Sequence, residues 1–326
     1  MFGSFQRRHA RSVLAGSVLA LAAPAFSQEY PNKPIRLVIG FAAGSDTDVV
    51  ARTLAEPLGS ALGQQVIVEN RPGAASTLAA EIVAHAQPDG YTLTLATNSS
   101  MSTGPAGLVP VKYDPVADFT PFGRVANVSF MLAGSNALPA KTLAQLVDYS
   151  KDSAKTNCAS GNANGIVFCE LFKKRLASDI VGVPYKSTPA AVTDLIGGQV
   201  QIMFVDVPTG APRVRAGQLQ AYAVTSEKAS PILPEVPTMG EAGMPDFPPN
   251  SGWWGLYGPA NVPQPVAVRL SRELQAVMER EDVQKKLLAA GVEPAYLPAE
   301  EMEPFLRKQL IDWRAFLKEF KIAAGS

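Results

Sequence analysis

Hydrophobic and polar positions alternate between two periods along most of the chain. Ile35-Arg-Leu-Val-Ile-Gly40 is a near-continuous apolar run of strand length. Residues 47–62 repeat their apolar positions every three or four residues, as a helix with one buried face does. Residues 65–70 predict a second strand, stopped by Arg71-Pro72-Gly73, and residues 78–86 a second helix. Asp89-Gly90 turns the chain into the alternating strand 91–96. This β-α-β-α-β order implies a mostly parallel sheet with helices on both faces.

The middle of the chain repeats the grammar. Strands are expected at 128–133, 155–160, 180–183, 200–204 and 219–224, with helices at 143–150, 165–176 and 189–196. Residues 230–249 then carry six prolines and read as an extended surface loop. From Pro265 onward the pattern is largely helical, ending in the amphipathic stretch 298–320. Two α/β units of about 100 residues and a helical tail imply two lobes with a cleft between them.

The N-terminus breaks this pattern. Arg7, Arg8 and Arg11 precede an apolar run from Val13 to Ala23, and Pro24-Ala-Phe-Ser27 supplies small residues where a signal peptidase cuts. Residues 1–27 are therefore expected to be a leader for export to the periplasm. The whole chain balances 29 Lys+Arg against 29 Asp+Glu. Loss of the three leader arginines leaves 26 against 29, a net charge of −3. Such a surface has no cationic excess with which to neutralise a nucleic acid.

Export also removes His9 and leaves His85 as the one histidine. A hydrolase of the Ser-His-Asp or Cys-His type needs a base, and His85 sits at the polar end of a helix, away from the strand ends. Zinc chemistry asks for more His or Cys than this chain has, so no metal site is expected. Cys158 and Cys169, eleven apart, are open to a disulfide or to two buried thiols.

In open α/β sheets ligands lie beyond the carboxyl ends of the strands. Candidate ligand contacts there are Phe41, Ala43, Gly44, Ser45, Asp46 and Thr47 after the first strand, and Thr97, Asn98 and Ser99 after the third. From the middle of the chain come Ser160, Gly161, Asn164, Tyr185 and Asp206. These loops are rich in small polar groups and helix starts, which hold ligands by backbone N–H groups and dipoles. Each also has a plainer reading as a helix cap or polar turn; Ser45, Asp46 and Thr47 all qualify as caps. Trp253-Trp254 is open to ring stacking or to core packing.

A series of short motifs resembles one family. Tyr30-Pro-x-Lys-Pro-Ile-Arg36, Thr47-Asp48-x-x-Ala51-Arg52, Val68-Glu-Asn-Arg-Pro-Gly73 and Pro88-Asp-Gly-Tyr-Thr92 come first. Tyr113-Asp-Pro115, Asp118-Phe119, Val183-Pro-Tyr-Lys186, Asp194-Leu-x-Gly-Gly198, Val236-Pro-Thr238 and Glu241-Ala-Gly243 follow in order. The chain is similar in these to the Bug-type solute receptors of tripartite tricarboxylate transporters. The resemblance implies a type II periplasmic binding protein with two lobes, 28–125 plus 223–326 and 126–222, closing on a ligand. It also implies a small organic acid as ligand, no cofactor, and service to membrane transporter subunits or a sensor kinase; a monomer is the default expectation. The ligand carboxylate would lie at the loops 41–47 and 97–100, and its far end near 160–165 and Asp206.

Departures from the family pattern matter. Where Pro-Pro-Gly-Gly-Ser is common, this chain has Ala42-Ala-Gly-Ser-Asp46. A carboxylate in an anion-holding loop should repel an anion, so Asp46 is expected either to select a less anionic ligand or to cap its helix. The usual histidine is absent near Ile166 and Val167, and Ser187 replaces a glycine. The runner-up function is a periplasmic enzyme on the same scaffold, and a third is an adhesin, which would want exposed apolar patches.

Overall fold

The computed structural model describes Met1 and residues 30–152, 156–245, 247 and 251–322. Residues 2–27 of the expected leader lie outside the described residues. The chain runs β1 (Ile35–Ile39), α1 (Asp46–Leu62), β2 (Val66–Asn70), α2 (Thr77–Ala84) and β3 (Thr92–Thr97). A wide helical segment, Ser99–Leu108, precedes β4 (Phe119–Ser135), α3 (Leu143–Asp152) and β5 (Asn157–Ser160). Then come α4 (Ala163–Leu176), β6 (Val181–Pro184), α5 (Thr188–Ile196), β7 (Ile202–Asp206), α6 (Val207–Arg215) and β8 (Leu219–Val224). The last elements are β9 (Ser251–Pro259), α7 (Gln264–Glu279), α8 (Glu281–Ala289), β10 (Glu293–Pro298) and α9 (Ala299–Glu319).

The α/β reading holds, and the expected strands and helices appear through β8, joined by two helical segments that the pattern did not show, Ser99–Leu108 and α6. β1 is parallel to β2 and β3, and β5 is parallel to β6 and β7. The strands that join these sets are antiparallel. β9 inserts between β3 and β4, while β10, β7 and β8 all pair with β4 in the opposite sense. β4 pairs with β9 over residues 119–129 and with β7 over residues 130–134, so a single strand belongs to two half-sheets.

Two strands were not legible from their patterns. β9 reads Ser-Gly-Trp-Trp-Gly-Leu-Tyr-Gly-Pro, and its glycines answer large neighbours rather than turns. A Cβ on Gly258 would approach the Phe122 ring to 3.0 Å, and one on Gly255 the Tyr257 ring to 2.9 Å. β10, inside the stretch expected to be helical, contains Pro294 and Pro298 and among the described residues pairs with β4 alone, the edge position where proline costs a sheet least.

The core follows the predicted faces. Ile35, Leu37 and Ile39 of β1 and Val50, Leu54 and Leu58 of α1 are buried in one cluster. Phe204 of β7 stacks on Phe247 with centroids 5.5 Å apart, and Phe168 of α4 packs against both. The chain end ties the halves together. Trp313 and Leu317 of α9 share a cluster with Leu108, Ala163 and Val167, and Lys174 Nζ donates to the carbonyls of Phe320 and Lys321.

Candidate functional site

α1 begins beyond the C-terminal end of β1. Ser45 is its N-cap, accepting from Asp48 N–H at 3.2 Å, which resolves the choice among three possible caps. Gly44 supplies the turn with φ 80°. Asp48 is fixed by Arg52, by Gly44 N–H at 3.0 Å and by Asn70 Nδ2 at 2.9 Å. Burial raises the Asp48 pKa, but those donors outweigh it and hold the group below the usual carboxylate value. Thr47 is buried, and its Oγ1 accepts from Trp254 Nε1 at 3.0 Å.

Asp46 is left over from this capping. Its Oδ1 accepts from the N–H of the next residue, Thr47, at 2.6 Å. Its carboxyl lies within hydrogen-bond reach of Asp206, from the other half-sheet. Asp206 ends β7 and caps α6 through Oδ2, which accepts from Thr209 N–H at 3.2 Å. Its Oδ1 is buried without a hydrogen-bond partner. Burial, and then the neighbouring Asp206, push Asp46 well above the ordinary carboxylate range; burial also raises Asp206. One proton shared by the pair relieves both.

The loop after β3 supplies Thr97, Asn98 and Ser99. Asn98 Nδ2 donates at 2.6 Å to Asn164 Oδ1, which also accepts from Thr103 Oγ1 at 3.0 Å. Asn164 lies in the first turn of α4, so this contact closes one half-sheet's loops against the other's. Thr97 Oγ1 and Asn164 Nδ2 are buried without partners.

Two cavities lie here, on either side of Asn162. The inner one, about 20 Å³, is lined by Phe41, Asp46, Thr47, Thr97, Asn98, Ser99, Val128, Phe130, Asn162, Trp253 and Trp254. A single water needs roughly 10–15 Å³, so the inner space holds one small group. The outer cavity, about 320 Å³, is lined by Ala75, Val109, Ser160, Gly161, Asn162, Ile166, Pro184, Tyr185 and Lys186. Asn162 lines both. A larger groove of about 450 Å³ lies beside the end of α1 and β2, contains none of the expected ligand contacts and opens to the surface.

Of the expected contacts, Phe41, Asp46, Thr47, Thr97, Asn98 and Ser99 reach the inner cavity, and Ser160, Gly161 and Tyr185 the outer. Asn164 and Asp206 stand behind these walls. Ser45 serves as cap, and Ala43 and Gly44 are exposed and line neither cavity. Sequence reasoning included Asn162 in the expected loop without singling it out. It accepts from Gly165 N–H at 2.8 Å and caps α4, a signal visible in Asn-x-x-Gly before a helical run. Val128 and Phe130 carried no such local signal, whereas Lys186 ends the Val183-Pro-Tyr-Lys186 motif at a strand end. Cys158 and Cys169 form a disulfide with Cα atoms 5.8 Å apart, stapling the end of β5 to α4. His85 lies exposed at the end of α2, Nδ1 on Glu81 O at 2.8 Å, and lines neither cavity.

Comparison with known proteins agrees with this architecture. The chain is 31% identical to BugT of Bordetella pertussis over 92% of this chain and 93% of that protein. It superposes on the periplasmic binding protein BugD with a TM-score of 0.86 at 32% identity, over 90% of this chain and all of the other. R. palustris Rpa4515, solved with adipate, gives a TM-score of 0.86 at 29% identity over 91% of this chain and 100% of that one. The model of the tripartite tricarboxylate transporter family receptor matches residues 50–322, and with most of its length covered the chain belongs to that family.

Proposed function

We propose that this protein is a periplasmic receptor that captures a small organic acid in the cleft where the two cavities lie. In this reading it is exported by the leader 1–27 and delivers its ligand to the membrane subunits of a tripartite transporter. The observation that carries the proposal is the closed site itself. Loops from both half-sheets converge on it, and Asn98 and Asn164 bond across it at 2.6 Å. The adipate of Rpa4515, a protein similar over most of its length, supports an acid as ligand.

The division into lobes 28–125 plus 223–326 and 126–222 belongs to the same proposal. The change of partners along β4, from β9 to β7 between Ser129 and Phe130, supports a flexing point there. Opening about it separates Asn98 from Asn164 and exposes the inner cavity; a ligand touching both sides shifts the balance to closed. The reading is of binding without turnover.

The test is thermal unfolding of the refolded, dialysed protein against a panel of dicarboxylates, aromatic acids, sugar acids and amino acids. A ligand at 100 times its dissociation constant adds about 2.7 kcal/mol to stability, a clear rise in melting temperature. Failure of every acid to raise the melting point of a cooperatively folding sample overturns the proposal.

A further inference from the structure

We propose that Asp46 and Asp206 form a cation subsite at the inner end of the cleft. It takes the primary ammonium of a zwitterionic organic acid whose carboxylate lies outward, at the Asn162–Lys186 end. This rests on the organic-acid reading above and specifies its ligand. Asp206 is 1% exposed, and its Oδ1 has no hydrogen-bond partner. A second, separate orphan lines the inner cavity: Thr97 Oγ1, on a residue 5% exposed. Asp46 and Thr97 line the inner cavity and Asp206 stands behind the wall beside Asp46, so three acceptors gather at this end, and an ammonium brings three donors.

Size and charge point the same way. The inner space, about 20 Å³, matches a group as small as a water, which an ammonium is and a carboxylate is not. Two carboxylates within hydrogen-bond reach of each other repel any third, and they need a proton or a cation between them. No Lys or Arg lines the inner cavity among the described residues, and Arg52 is held by Asp48 and Asn70.

The outer cavity has the opposite character. It is lined by Lys186 and by the start of α4, and neither α4 nor α5 has an acidic residue in its first turn. Helix starts of that kind favour a carboxylate. The bound molecule therefore lies with its cationic end in and its anionic end out.

The experiment is calorimetric titration of the full mature protein with matched pairs: 4-aminobutyrate against butyrate, and L-glutamate against glutarate. It is repeated with Asp46→Asn and Asp206→Asn, their folding checked by melting. Asn at 206 keeps an acceptor for Thr209 N–H, so α6 stays capped. In the wild type at least one amino acid is expected to bind ten or more times tighter than its des-amino partner. Each Asn variant lowers that preference tenfold or more, by weakening the amino member and tightening the other. Des-amino acids that bind as tightly as their amino partners overturn the subsite and leave the organic-acid reading standing. A preference that survives both substitutions overturns the assignment to Asp46 and Asp206. If no member of either pair binds, the subsite falls; the wider acid panel above decides the receptor reading separately.

Discussion

The starts of α1 and α4 sit at the same cleft, each after a strand, yet they are built oppositely. α1 has Ser45 as its cap and puts Asp46 and Asp48 in its first turn. α4 has Asn162 as its cap and opens Ala163-Asn164-Gly165, with no acid, while its basic residues Lys173, Lys174 and Arg175 gather at the far end. The glycines before them differ as well. Gly44 needs its positive φ but has open space around a Cβ position, whereas Gly161 has ordinary φ and a Cβ there would lie 2.5 Å from the Thr188 backbone. One helix start is acidified and loosely housed; the other is neutral and tightly cemented. The lesson is that a helix dipole does not by itself make an anion site, because its first-turn side chains decide what it accepts.

The disulfide is the strongest support of the α4 side. Replacing Cys158 and Cys169 by Ser opens a loop of sequence separation 11. By chain entropy that costs about 3 kcal/mol, read as a lower midpoint in urea. Gly161→Ala comes next. Overpacking against the Thr188 backbone is expected to cost about 1–3 kcal/mol, while Gly44→Ala costs about 1–2 kcal/mol through its left-handed backbone alone. Asn, which tolerates a left-handed backbone, should recover much of the loss at position 44 and none at position 161; recovery at both would erase the contrast. Asn162→Ala removes a cap worth about 1 kcal/mol in a thermal melt, and Asn162→Asp should recover most of it while reversing the charge of the α4 start.

The mildest intervention is Asp46→Asn, which changes a slope. Asp46 has a folded pKa above its unfolded value, so the folded protein holds the proton more tightly. Stability is then full below the ordinary aspartate pKa and is lost as pH rises through the raised one. The charged groups close by are Asp206 across the cleft and the Asp48–Arg52 pair on α1. Melting curves across that range should show the wild type declining with pH, and Asp46→Asn declining less. Parallel curves would mean that Asp46 ionises freely in the folded protein.

Much of this contrast is legible in the sequence, because caps and first turns are local. Ser45 before Asp46-Thr-Asp48 and Asn162 before Ala-Asn-Gly165 can be read within four residues. The meeting of Asp46 with Asp206 cannot, since it depends on how β4 joins two half-sheets whose members are far apart in sequence. β9 was illegible for a related reason. Its Gly252, Gly255 and Gly258 fit the side chains of Asn98, Tyr257 and Phe122, so the signal lies in three dimensions and not in a period of two. The exposed Ala43 shows the converse limit: position after a strand end brings a residue near a cleft without turning its side chain inward.

The position of β9 also bears on the order of folding. Thr97 of β3 pairs with Trp254, and Phe119 of β4 pairs with Pro259, so a late segment forms the middle of a sheet whose other strands are made early. A nascent chain that has not yet released residues 251–259 leaves β3 and β4 with facing, unfilled edges. Contacts of such long sequence separation slow folding, because the intervening loop must be ordered before they repay it. The first half-sheet is thus completed only after β9, and then β10 at Glu293–Pro298, have been made and have found β4.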